Sequence, residues 1–428
     1  MKKLVKQLKE SEFTRNVALM FSGNSLAILF PFLLAPLIAR LYTPEDFAGF
    51  ELFVKMLVLF SLLGSLRFEQ AIIIPKDDSE AKQLVNLCFK ILFGVTFLSA
   101  VFVFLTNDWI GDVLKNDDLP YLLYLLPIAV LIFGGYNILI QIFVRFRKYK
   151  TLATNKIFAA GSNNILKYLL GVLQNSSLGL VIAHLVGTLI PAILMLRMKP
   201  SRKFLFEKQA GDISQRSLVK KYKDFPLVNS THVLIDELSR ALLFFGISYY
   251  FQDIVLGLFA FTFRYLRVPI QVMGNSLAQV LNERMARMRS DNKSLTPVVL
   301  KTIFYLSLIG LLPFGILFFY GQPIFTFVFS DAWSEAGYYA EIITPWLYLN
   351  FMVSPMSMLP IIVNKQKTYL LINTLLQITS LAVLFIRSEM GASPGQVFFE
   401  IAMVFVVFLL FMIYWFIRIS KSTASSHY

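Results

Sequence analysis

The sequence predicts an all-α polytopic membrane protein with twelve transmembrane helices in two pseudo-symmetric six-helix bundles. Three observations carry that expectation. Of 428 residues, 57% are apolar and only 15% charged, against roughly 25% charged in a soluble domain. The apolar residues gather into runs near the ~20 residues that cross a bilayer as a helix. The links between runs alternate in charge, basic and then acidic or neutral.

The basic start MKKLVKQLKESEFTR leads into an apolar run too long for the roughly 7–15-residue core of a cleavable signal, so it is expected as a retained first span. The predicted spans are 16-40, 47-66, 84-105, 119-144, 152-173, 177-197, 225-250, 254-280, 299-320, 338-363, 368-387 and 396-417. Even-numbered links collect Lys and Arg, as in RFRKYK at 145-150, RMKPSRKFLFEKQ at 197-209, ERMARMR at 283-289 and NKQK at 364-367. Odd-numbered links hold Asp108, Asn175, Asp253 and Asp331 instead. Cytoplasmic loops carry the positive charge, so both basic termini are expected inside the cell. The net charge of +14 then reflects topology and contact with anionic lipid, with no nucleic-acid partner. The longest link divides the chain into an N-terminal bundle, 1-197, a cytoplasmic linker, 198-224, a C-terminal bundle, 225-417, and a tail, 418-428.

The halves echo each other. Asn24 precedes an apolar run, Glu45, Asp46 and Gly49; Asn229 precedes an apolar run, Asp253 and Gly257. Registered on those glycines, Lys55 and Arg264 fall at matching depth near the membrane centre. A charge there costs about 2.5–3.5 kcal/mol on insertion scales and usually faces a bundle interior or a water-filled cavity. For Lys55 a local pair with Glu51 one turn earlier is the structural alternative. Arg264 has Arg267 nearby and no acid within a turn.

The seventh span carries NSTHVLIDELSR, in which His232, Asp236 and Arg240 recur at four-residue spacing with Glu237 beside them. Two readings stand: an ion pair between Asp236 and Arg240 gluing helices, or a proton or sodium site on Asp236 or Glu237 with His232 modulating it. Lys156 and Lys167 on the fifth span face a cavity or snorkel outward. Arg40 reaches the interface, Glu400 lacks a partner on its own helix, and His184 reads as structural. Pro31, Pro36, Pro127, Pro191, Pro269, Pro313, Pro345, Pro355 and Pro360 kink or interrupt helices.

Enzyme signatures are missing. The chain contains no GxxxxGK[ST] or HExxH, and one cysteine, Cys88, permits neither a disulfide nor a cysteine metal site. No catalytic residue, metal or cofactor is therefore expected. What remains is a duplicated carrier with a cationic interior.

Five segments in order, GNSLAILFPFLLAPLIARLYTPEDFAGFELF, SLRFEQAIIIPKDDSEA, VRFRKYKTLATNK, FRYLRVPIQVMGNSLAQVLNER and DAWSEAGYYAEIITPWLYLNFMVSPMSMLPIIVNKQK, resemble the Wzx-type polysaccharide flippases. Those belong to the superfamily that also holds the MATE drug exporters and MurJ flippases. The resemblance implies two bundles around a central cavity in the bacterial cytoplasmic membrane. It implies an undecaprenyl-diphosphate-linked oligosaccharide repeat unit as cargo, moved outward for O-antigen or capsule assembly. Lys55, Arg264, Arg267 and Lys167 are then candidates for the diphosphate, and Asn24, Asn229 and Arg240 for other cavity positions. A coupling Na+ or H+ would act at Asp236, Glu237 and His232, and a polysaccharide polymerase and chain-length regulator are candidate partners. First-span arginines of the lipid II flippases have no counterpart inside this first span. A MATE-like cation antiporter is the alternative within the fold, and a membrane polymerase or ligase the alternative from another class.

Overall fold

The computed structural model describes residues 27, 29–174, 176–205 and 214–421. Asn24 lies outside them, as do the side chains of Asn229 and His232. The described chain is helical throughout, with no strand. Its long helices are Leu29–Ala39 (α1), Pro44–Leu63 (α2), Asp78–Leu114 (α3), Leu126–Arg145 (α4), Tyr149–Leu173 (α5) and Ser177–Arg197 (α6). They continue as Ser230–Tyr250 (α7), Asp253–Ser290 (α8), Thr296–Phe329 (α9), Ser334–Val353 (α10), Gln366–Glu389 (α11) and Pro394–Lys421 (α12).

These helices follow the predicted spans in order. Seven segments among the described residues are long and apolar enough to cross a membrane by length and composition. The charged candidates ride on others, α2, α5, α7 and α8. Several helices overrun their apolar cores. α3 extends to 37 residues because Asp77 caps it, accepting from Ser79 N at 3.1 Å, and DSEAK continues the helix past the apolar part. Prolines do interrupt. Pro127 starts α4 after a short helix, Leu119–Leu123, and Pro355 and Pro360 break the tenth span beyond Val353.

By internal packing the chain divides into Met1–Phe245 and Gly246–Tyr428, a boundary within α7, whereas the sequence sets it in the 198-224 link. The side chains explain the position. Phe244 lies under Lys55 of α2, whereas Gly246 packs on Leu384 and Tyr250 donates to Glu389 at 2.7 Å. Within the first unit α2 packs on α4, α3 on α4, α4 on α6 and α5 on α6. Within the second, α8 packs on α10, α9 on α10, α10 on α12 and α11 on α12. The same pairs recur six helices later, so the duplication is visible in packing where it is faint in sequence.

Three links meet at one end of the first unit. Arg145, closing α4, bonds Asp78 at 2.9 Å and the carbonyls of Ile72 and Pro75 at 3.0 and 2.7 Å. Lys203 reaches Asp78 at 2.9 Å. Lys221 and Tyr222 both reach Glu80, at 2.5 and 3.0 Å. The Glu80 carboxylate raises the Lys221 amine above its ordinary value, and burial followed by the same bond raises the Tyr222 phenol.

Candidate functional site

Local chemistry sets where the two central cations stand. Thr43 and Asp46 form a capping box: Asp46 N donates to Thr43 Oγ1 at 3.3 Å and Thr43 N to Asp46 Oδ2 at 2.9 Å. With Pro44 next, α2 has a sharply defined start. Lys55 stands eleven residues beyond Pro44 (55 − 44), and Arg264 eleven beyond Asp253, where α8 starts (264 − 253). Each is thus about 16 Å along its helix at ~1.5 Å per residue.

At Lys55 the local pair with Glu51 is realised. Its amine lies 3.7 Å from Glu51 Oε2 and 4.0 Å over the ring of Phe244. Glu51 is sealed, with 3% of its side chain exposed, while Lys55 keeps 20%. Lys167 of α5 is buried at 7% exposure with its amine 4.4 Å from the centre of the Phe50 ring. The edge of the cluster is built by Asn163, one turn before Lys167, which lies 2.8 Å from His184 Nδ1. His184 in turn meets the Phe50 and Phe133 rings at 5.7 and 4.7 Å. Helices α2, α4, α5 and α6 therefore gather one cation, Lys167, and one imidazole, His184, around the Phe50 ring, while the Glu51–Lys55 pair begins one residue further along α2. Aromatic faces offset part of the lost hydration of such cations.

That approach depends on Gly187. A Cβ there would meet Asn163 Cα at 2.5 Å and its backbone N at 2.8 Å, and Ser162 Oγ donates to the Gly187 carbonyl at 3.0 Å. Sequence reasoning passed over Asn163, Phe50 and Phe244 and set His184 aside. The four-residue spacing of Asn163 and Lys167 was the available signal.

On α7 the ion-pair reading is realised. Arg240 pairs with Asp236 and lies 3.4 Å from Glu237 Oε1. One guanidinium serves two carboxylates, whose side chains are 41% and 26% exposed. In the second unit Arg264 and Arg267 are half-buried, and Arg267 lies over Phe263 of its own helix at 4.9 Å. Glu400, expected without a partner on its own helix, is held from the neighbouring helix: Arg387 Nε donates to both its oxygens at 2.8 and 2.9 Å. Arg40 is exposed and Lys156 half-buried. No group of three or more potential metal ligands occurs among the described residues.

The family model described as polysaccharide biosynthesis protein matches residues 37–337. Among solved structures, the chain is similar to an inward-facing multidrug resistance MATE family transporter of the MOP superfamily. That match has 14% identity and a TM-score of 0.69 and covers 94% of this chain and 96% of that one. It is also similar to the lipid II flippase MurJ in an inward closed conformation, at 14% identity, TM-score 0.67 and coverage of 94% and 90%. A MOP superfamily transporter from Pyrococcus furiosus matches at 13% identity, TM-score 0.50 and 98% of both chains. No curated protein matches the sequence.

Proposed function

The chain belongs to the polysaccharide biosynthesis protein family and has the fold of the MATE and MurJ transporters, and from that premise we propose that it is a flippase. Its cargo in this reading is an undecaprenyl-diphosphate-linked oligosaccharide, carried from the inner to the outer face of the bacterial cytoplasmic membrane for O-antigen or capsule assembly. The termini lie in the cytoplasm. A polymerase and a chain-length regulator act on what is delivered.

The observation that carries this reading is the pair of sheltered amines, Lys55 and Lys167, each against an aromatic face. A diphosphate leaving water loses hydration worth far more than one contact returns, and fixed cations in apolar surroundings offset that loss. Arg264 and Arg267 supply the corresponding charge from the second unit as access alternates. Coupling to protons or sodium falls to Asp236 and Glu237. With two carboxylates on one guanidinium, the trio keeps one negative charge that a single proton or Na+ neutralises. His232 tunes that step.

A second reading, antiport of an organic cation, is favoured by the sealed carboxylate of Glu51, next along α2 from Phe50, whose ring meets His184. The sidedness of the lipid-linked units separates the two. In cells lacking the protein, units accumulate inside; wild type restores them to the outer face, and Lys55→Gln does not despite normal insertion. Units reaching the outer face without the protein would overturn the flippase reading.

A further inference from the structure

The turn leaving α2 carries a cation that the cluster above leaves unused. Leu66 and Arg67 take left-handed backbone in succession, with φ of 48° and 64°. Residues with a Cβ avoid this region, and it persists only where the surroundings over-determine it. Here they do. Phe68 N bonds the Ser65 carbonyl at 2.9 Å, Gln70 N bonds the Arg67 carbonyl at 3.1 Å, and Arg145 holds the carbonyls of Ile72 and Pro75.

Among the described residues no side-chain partner is found for the guanidinium so presented. Among the described residues Arg67 enters no ion pair or side-chain hydrogen bond, and its Nε is buried without a partner. The nearest acid in sequence, Glu69, is buried and occupied by Ser65 Oγ at 2.5 Å. Arg145, at the same end of the unit, bonds the backbone carbonyls of Ile72, Pro75 and Asp77 and the Asp78 carboxylate. An arginine has five N–H donors in a planar fork, and buried donors are normally satisfied. A shielded, unmatched Nε–H on a rigid turn calls for an acceptor from outside the chain, and the bidentate match of that fork is a phosphate.

We propose that Arg67 is a phosphate-binding residue at the end of the first unit where the links after α2, α4 and α6 meet. On the flippase reading, which this deepens, that end faces the cytoplasm and Arg67 engages the phosphate before Lys55 does. The phosphate belongs either to a polyprenyl lipid headgroup or to free pyrophosphate.

The test uses the full chain in nanodiscs, with undecaprenyl phosphate in the disc and inorganic pyrophosphate in solution as separate probes. Arg67→Gln weakens binding about 10- to 100-fold, the worth of one or two charge-assisted bonds, and Arg67→Lys keeps part of it. Arg67→Gly relieves the backbone, so its Tm stays level or rises while binding falls. Loss for undecaprenyl phosphate alone identifies a lipid headgroup, and equal loss for pyrophosphate identifies the free anion. Unchanged binding in Arg67→Gln overturns the assignment, as does a Tm that drops in Arg67→Gly and Arg67→Lys together with binding. Failure of the flippase reading appears in the sidedness of lipid-linked units in cells, which this binding measurement does not involve.

Discussion

Gly187→Ala tests whether the meeting of α5 and α6 supports the Lys167 and His184 cluster. The new methyl group would sit 2.5 Å from Asn163 Cα and 2.8 Å from its backbone N, atoms that no rotamer change can move aside. Restoring ordinary contact parts the helices by about 1 Å, because van der Waals separation between carbons is ~3.5–4.0 Å. The Ser162 bond to the Gly187 carbonyl, now 3.0 Å, stretches beyond useful length. Overpacking costs about 1–3 kcal/mol, the lost bond about 0.5–1.5, and the better helix propensity of alanine returns up to ~1. The net is a destabilisation of about 1–3 kcal/mol, with Asn163 pulled from His184 and Lys167 displaced. Gly94→Ala on α3 is the matched control, since nothing lies within 4 Å of a Cβ there. Thermal unfolding of both variants in one detergent, alongside export in cells, gives the answer. If Gly187→Ala keeps wild-type Tm and export, or Gly94→Ala falls as far, the reasoning is refuted.

Asp236→Asn with Glu237→Gln removes the excess negative charge beside Arg240, so export in vesicles loses its dependence on the ion gradient; single variants retain it in part. Arg387→Met and Glu400→Gln destabilise less together than the sum of the two, by no more than about 1 kcal/mol because a third of each side chain meets solvent; a double-mutant cycle of Tm checks this. Glu80→Gln frees Lys221 and Tyr222, and the link should be cut faster by trypsin at Lys220 and Lys221 in the folded protein. The same latch is intact at neutral pH. Both groups have raised folded values, so the latch contributes fully below the lower of their ordinary values, 10.0 for Tyr222, and is lost as pH climbs through the raised ones.

Much of the fold was legible because a bilayer leaves few choices. Apolar length alone placed α9, α11 and α12, and the alternation of basic links agrees with Arg145, Lys203 and Lys221 converging at one end. Helix ends were harder, since Asp77 and DSEAK read as a polar link yet form the first turns of α3. At the candidate site, cations were visible because charge is rare in such segments. Their surroundings were not. Phe50, Phe244 and His184 lie on different helices, and only packing reveals which aromatic ring faces which amine. Glu400 shows the same limit: its partner, Arg387, is thirteen residues away on the preceding helix.

The two units share a pattern of packing but not of stiffness. α3 runs unbroken for 37 residues without a proline, about 55 Å at ~1.5 Å per residue, from the Asp78 and Glu80 latch to Leu114. Its counterpart α9 contains Pro313 and Pro323 and leaves helical angles at Tyr320. A load applied at the link end of the first unit is therefore conveyed along α3 to its far end as by a strut. A load along α9 bends it at Tyr320 first, so equal forces on the two halves produce unequal tilts.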